Sequence, residues 1–231
     1  VSNLPDSGAD FIEIGMTFSD PMADGPSIQL SSQRALKSGM NLNKCLSLIK
    51  IFRERNSHTP IILMGYYNPI YKFGKEKFIK NCVELSVDAL IIVDLPPEED
   101  NEFYIEAEKN KLSMIRLVTP TTDEKRLKRI LYNATGFVYY VSITGITGTQ
   151  TPDIQSVQDN IKKIKRVTNL PIVIGFGIRS PTQAAMMSNT CDGIVIGSAV
   201  VDLIKKTLDD NDNSNEKDLT SCLNFTRKIS N

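Results

Sequence analysis

An acidic residue inside an apolar strand pattern is the first group in this chain with chemistry to offer. In FIEIGMTFSDPMADGPSIQ (11–29), Glu13 interrupts a run that otherwise reads as a strand, and Asp20 and Asp24 follow in a loop bounded by proline and glycine. An ionised carboxylate inside a sheet is costly unless it is paired or working, and burial raises its pKa toward the range of a general acid or base. Glu13 is therefore the candidate catalytic carboxylate; the alternative is a strand-end glutamate held in a salt bridge. Asp24 lies beyond a loop long enough to fold back, so that both carboxylates can face one substrate, although capping a turn would suit it nearly as well. Asp20, directly before Pro21, reads as a loop-fixing residue.

A second group lies late in the chain. GITGTQ (145–150), GFGI (175–178) and GIVIGSAV (193–200) each follow a predicted strand. Glycine lets backbone N–H groups approach an anion closely. The stretch GSAVVDLIKK sets Gly197 and Ser198 at a helix N-terminus, where free amides and the helix dipole favour phosphate. Tyr139, Tyr140 and Phe176 stand at strand ends near these loops. Core packing is the default for each ring, and stacking on a flat apolar ligand is the alternative. Together these residues suggest a phosphorylated small molecule, a carboxylate acid–base pair and no metal.

The rest of the composition narrows the field. The only histidine, His58, sits in the polar stretch RNSHTP, and Cys45, Cys82, Cys191 and Cys222 form no CxxC and have no histidine beside them. Metal ligation and Ser–His or Cys–His nucleophiles thus lack their usual parts. The cysteines read as small buried hydrophobes in a reducing compartment. With 27 Lys and Arg against 27 Asp and Glu, the chain has no excess positive charge for a nucleic-acid partner. The clusters EKRLKR (124–129) and KKIKR (162–166) read as solvated helix faces. No apolar run reaches the roughly 18 residues of a membrane span, and the N-terminal residues have neither a basic nor an apolar leader pattern. A cytoplasmic protein with no membrane partner is expected.

These groups need a scaffold to bring them together. Seven short apolar runs recur: 11–16, 60–65, 89–95, 114–118, 136–142, 171–176 and 193–198. LIIVDL and IVIGF are apolar throughout, as strands covered on both faces are, which implies a parallel sheet. Helix-period segments at 43–55, 75–85, 97–110, 124–133 and 157–168 alternate with them. Glycine-rich loops after the last two strands favour a (β/α)8 TIM barrel over an open doubly wound sheet. The expected organisation is one domain over 1–231, with 211–231 a linker and closing C-terminal helix. Only seven strands are found, so the first strand and most of the first helix are expected to be absent. The wall would then have a gap and two unpaired edges, and the chain would be less stable than a longer one.

In chain order, EIGMTFSDPMADGPSIQ, ILMGYYNP (62–69), DLPPEE (94–99), VTPTT (118–122), YVSITGITG (140–148), GFGI and IGSA (196–199) resemble motifs of the tryptophan synthase alpha chain family. SDPMADGP is the most specific of them. The resemblance implies a TIM barrel that cleaves indole-3-glycerol phosphate to indole and glyceraldehyde 3-phosphate by a retro-aldol step. It also implies no cofactor in this chain, and a partner beta chain carrying pyridoxal phosphate, which receives indole in an alpha2beta2 tetramer. By the same resemblance Glu13 is the acid–base carboxylate, and Asp24 stabilises the protonated ring through its N–H. Tyr139 adjoins the glutamate, and Thr147 belongs to a closing loop. Gly148, Gly177, Gly197 and Ser198 form the phosphate cradle, and Met64, Ile91 and Phe176 line the indole pocket. Thr17 departs from the family's proline, a mild change in loop stiffness. The alternatives are a non-catalytic activating partner of the beta chain and a stand-alone lyase releasing free indole. A different phosphate-binding barrel would share the cradle but not SDPMADGP.

Overall fold

The computed structural model describes residues 1–142, 154–175, 177–209 and 219–230. Strands β1 (Ile12–Gly15), β2 (Ile61–Gly65), β3 (Ala89–Ile92) and β4 (Ser113–Met114) form one parallel sheet. A second holds β5 (Arg116–Val118), β6 (Val138–Val141), β7 (Ile172–Gly175) and β8 (Gly193–Val195). The strand expected over 114–118 is thus two short ones. Its first half pairs with β3 (Leu90 beside Met114) and its second half with β6 (Arg116 beside Val138). The ladder changes sides at Ile115, whose N–H still donates to the Leu90 carbonyl at 3.0 Å, so residues 113–118 act as one staggered stave of the wall.

Strand parity divides the apolar side chains into an interior and an outer layer. Ile62, Ala89, Ile91, Ile115, Tyr139, Val173 and Val195 pack together inside the curved sheet, with Phe11, Met64 and Phe137 against them. Alternate residues point outward into two separate cores. One joins β1–β4 to α2 (Leu42–Arg53), α4 (Lys75–Glu84) and α5 (Asn101–Lys109). The other joins β5–β8 to α6 (Glu124–Leu131), α7 (Ile154–Lys165) and α8 (Pro181–Ser188). Burial of both faces explains why these strands are apolar throughout.

Four further helices complete the described residues: α1 (Pro26–Lys37), α3 (Tyr67–Phe73), α9 (Ser198–Lys205) and α10 (Thr220–Ser230). Helices α1, α3 and α8 have no counterpart among the helical segments expected above. Polar and small residues blur the period of PSIQLSSQRALK, and α1 buries no residue completely. α5 begins at Asn101 and not at 97, because Pro96 and Pro97 occupy a turn closed by the Glu99 N–H on the Pro96 carbonyl. Among the described residues β1 and β8 share no ladder, so each has one unpaired edge, and α1 packs against α9 across that seam.

A repeated device anchors the strand starts. Asp88 Oδ2 accepts from the Ile61 N–H at 2.8 Å, just as Asp192 Oδ2 accepts from the Ile172 N–H at 2.8 Å, and Arg53 and Lys165 pair with the same carboxylates. The backbone hydrogen bond is the main influence holding the Asp192 carboxyl below its usual pKa. Asp192→Ala should cost about 1–2 kcal/mol by urea unfolding at pH 7. A carboxyl with a depressed pKa stabilises the fold above its unfolded value, so the difference from wild type should shrink as pH falls through the folded one.

Candidate active site

Glu13 shares its strand face with Phe11, and that face points into the barrel. Glu13 lies beside Ile62 of β2, and Gly15 beside Met64. Oε2 of Glu13 is sealed from solvent and has no hydrogen-bond partner. Burial first, and the nearby Asp24 charge second, push its pKa up to about 7. Among the described residues no cation pairs with Glu13, and the charge that acts on it is that of Asp24, so the salt-bridge alternative finds no support there.

The loop after β1 brings Asp24 back over Glu13 and is pinned from two sides. From α1, Ser32 Oγ donates to the Phe18 carbonyl at 3.2 Å, and Gln29 Nε2 donates to the Asp24 carbonyl at 2.7 Å. From the end of β2, the Tyr66 hydroxyl accepts from the Ala23 N–H at 3.0 Å. Burial raises the pKa of the Asp24 carboxyl, and the nearby Tyr66 hydroxyl offsets part of that rise. Asp20 accepts from the Ser19 hydroxyl at 2.6 Å, and its carbonyl accepts from the Met22 N–H, in keeping with a loop-fixing role.

Tyr139 of β6 stands across the barrel interior, only 4% exposed, and burial and the Glu13 charge drive its hydroxyl pKa far upward. Phe137 adjoins it with ring centroids 6.4 Å apart, and Phe11 stacks on Phe137 at 5.6 Å. Ile91 is buried and Met64 half-buried in the same interior cluster. These residues give the carboxylate pair an apolar, partly aromatic floor able to hold a flat ring. Tyr140 points the other way, into the outer core of the second sheet.

The proposed cradle lies on that second sheet. Gly177 has φ +83°, a conformation that side chains rarely adopt. Gly197 is the N-cap of α9, and no side chain caps the helix there. A Cβ on Gly197 would meet nothing within 4 Å, so open space lies beside the free amides of Ser198 and its neighbours. An uncapped helix N-terminus facing open space favours an anion. Phe176, Thr147 and Gly148 lie outside the described residues. Among the described residues, no cluster of three or more His, Cys, Asp or Glu side chains could hold a metal.

The sequence reading missed Tyr66 and Gly175. A Cβ on Gly175 would lie 2.1 Å from Tyr139 Cε1 and 2.2 Å from its hydroxyl oxygen, so the ring crosses directly over this glycine. The signal for Tyr66 was the tyrosine ending the apolar run ILMGY. No sequence signal separates Gly175 from an ordinary strand-end glycine.

Residues 1–230 match a family model described as tryptophan synthase alpha chain. Among solved structures, the chain is similar to the tryptophan synthase alpha subunit of Legionella pneumophila str. Paris. The two are 34% identical with a TM-score of 0.89, over 99% of this chain and 83% of that one. A tryptophan synthase complex from Pyrococcus furiosus matches at 32% identity and TM-score 0.85, over 98% of this chain and 88% of that one. An open form of tryptophan synthase from M. tuberculosis matches at 27% identity and TM-score 0.84, over 99% and 83% of the two chains.

Proposed function

The chain belongs to the tryptophan synthase alpha chain family, and from that premise we propose how Glu13, Asp24 and the end of α9 divide its reaction. Its fold is the TIM barrel of that family, and it is a carbon–carbon lyase that cleaves indole-3-glycerol phosphate to indole and glyceraldehyde 3-phosphate. The observation that carries the assignment of roles is the Glu13 carboxyl, whose buried Oε2 has no hydrogen-bond partner among the described residues and whose pKa is pushed up to about 7 by burial and the Asp24 charge.

In its acid form Glu13 protonates C3 of the indole ring, leaving positive charge on the ring nitrogen. Asp24, as an anion, accepts the ring N–H and stabilises that charge, an electrostatic contribution aimed at the intermediate. The Glu13 carboxylate then takes the proton of the glycerol hydroxyl next to the ring. The C–C bond breaks, its electron pair restores the neutral ring, and the hydroxyl carbon becomes the aldehyde. Glu13 ends as it began, protonated. Gly177, Gly197 and Ser198 hold the phosphate with backbone amides, and Met64, Ile91 and Tyr139 enclose the ring; the cradle, pocket and loop roles that the family resemblance gives to Gly148, Phe176 and Thr147 fall on residues outside those described.

The family carries no cofactor in this chain. Pyridoxal phosphate is assigned to a beta chain that receives the indole, the two assembling as an alpha2beta2 tetramer in the cytoplasm. The complexes among the similar structures support a beta partner. Among the described residues no helix is long and apolar enough to cross a membrane. The chain is read as a single domain closed by α10.

The test is indole release from indole-3-glycerol phosphate, measured with and without beta chain. Release that rises when the beta chain is added is the expected result. A folded protein that raises beta-chain activity but releases no indole under either condition would make it a non-catalytic partner. Full turnover without any partner would make it a stand-alone lyase.

A further inference from the structure

The turn that leads from β7 into α8 is held firmly and delivers an arginine to α9. Gly177 takes its positive φ there, Ile178 is buried in the second outer core, and Ser180 caps α8 by accepting the Gln183 N–H at 3.2 Å. The Gln183 side chain reaches back in turn, its Oε1 accepting the Arg179 N–H at 2.8 Å, so the backbone of Arg179 is tied to the first turn of the helix. From that anchor the Arg179 guanidinium pairs with the Asp202 carboxylate of α9.

Asp202 stands four residues after Ser198, so the two share a face of α9, about 6 Å apart along its axis. Helical side chains lean toward the N-terminus, which brings this carboxylate toward the open space beside Gly197. A negative charge there suits an empty helix end, but it opposes a second anion arriving at the same amides. The separation is inside one Debye length, about 8 Å at physiological salt, so the opposition is felt in full solution.

We propose that Arg179 is a positioning residue for the phosphate cradle: it acts through Asp202, cancelling that carboxylate so that the N-terminus of α9 presents its positive end to the substrate phosphate. The proposal rests on the reading of Gly177, Gly197 and Ser198 as the cradle. An arginine that touched the phosphate directly would be missed whatever stood at position 202. An arginine that only clasped the turn to α9 would be missed equally when either partner was removed. That joint has other support, because α10 packs against both α8 and α9, and Ile178 and Ile196 share the second outer core. Charge cancellation alone requires that removing the carboxylate repair the loss of the arginine.

The experiment measures kcat and KM for indole release by wild type, Arg179→Gln, Asp202→Asn and the double variant, with inorganic phosphate as a competing inhibitor. The two side chains are 51% and 31% exposed, so these substitutions open no cavity and the variants should fold. In about 0.01 M KCl, where the Debye length is about 30 Å, Arg179→Gln should raise KM and weaken phosphate inhibition while kcat holds. The rise should be about 2–5-fold, the scale for partly exposed charges. It should fade in about 1 M KCl, where charges are screened beyond about 3 Å. Adding Asp202→Asn should bring KM back down, and Arg179→Lys, which keeps the charge, should recover most of the loss. An unchanged KM in Arg179→Gln, a double variant as impaired as that single one, a loss that persists at high salt, or a lysine no better than glutamine would each overturn the proposal. Phosphate that fails to compete with substrate in wild type would instead sink the cradle reading on which it rests.

Discussion

Glu13→Gln should reduce kcat/KM for indole release by about 10²–10⁴-fold, the range for removal of a positioned general acid–base group, while making the protein more stable above neutral pH. Glutamine fits the same space and can neither give nor take the proton. In the wild type, kcat/KM should fall as pH rises through about 7, where Glu13 loses the proton with which it starts the reaction. The stability effect has the same source. The folded carboxyl titrates near 7 and the unfolded one near 4.5, so the stability lent by the protonated folded form is complete below 4.5 and lost as pH rises to 7. Above that point the wild type carries a destabilising buried anion that the variant lacks. The difference is at most about 3.4 kcal/mol, from 1.36 kcal/mol per pKa unit. Urea unfolding at pH 5 and pH 8.5 measures it. A variant no more stable than wild type at pH 8.5 would mean that Glu13 is solvated in the folded protein.

Gly175→Ala should be the most damaging single methyl in the barrel. The added carbon would sit 2.1–2.4 Å from three atoms of the Tyr139 ring, and the ring is buried with Phe137 beside it. Nothing here is the free end of a flexible side chain, so the ring must tilt or β6 and β7 must part. Overpacking of this kind costs about 1–3 kcal/mol, and this contact belongs at the upper end. The ring's neighbouring charge is Glu13, so activity should fall with stability. Tyr139→Phe would give no relief, because Cε1 and Cζ collide as well as the hydroxyl. Tyr139→Ala removes the obstacle, and the double variant should be more stable than the sum of the two single losses. Urea midpoints of the four proteins complete the cycle. Additive losses would show that the ring and the glycine do not meet.

Much of this was legible in the residues. Glu13 stood out because an acid in an apolar strand breaks a strong local pattern, and seven apolar runs marked the barrel wall. Gly197 and Ser198 stood out only in company, because a tight turn between strand and helix needs glycine anyway and it is three glycine-bearing loops in chain order that suggest a phosphate. What escaped depended on contacts between distant segments. Tyr66 gains its meaning from the Ala23 N–H, 43 residues away along the chain. Gly175 gains its meaning from a ring on the neighbouring strand. The division of the 113–118 strand is likewise a matter of which neighbour each half pairs with, and no local periodicity reports that. α1 was missed for a different reason: its packed face is too shallow to show a clear apolar stripe.

The change of partners at Ile115 has a consequence for how the molecule comes apart. The two outer cores draw their residues from opposite sides of that point, and the halves are joined through the barrel interior and through the packing of α1 on α9. One buried ion pair spans the join: Arg116 of β5 binds Asp100, which caps α5, and also donates to Asn133 at 3.1 Å. Each half is thus a candidate cooperative unit with its own local stability. Denaturant should release them in sequence, so that amides of β1–β3 and of β6–β7 exchange with solvent at two different free energies. Arg116→Ala, which strands a buried aspartate, should widen the interval between them.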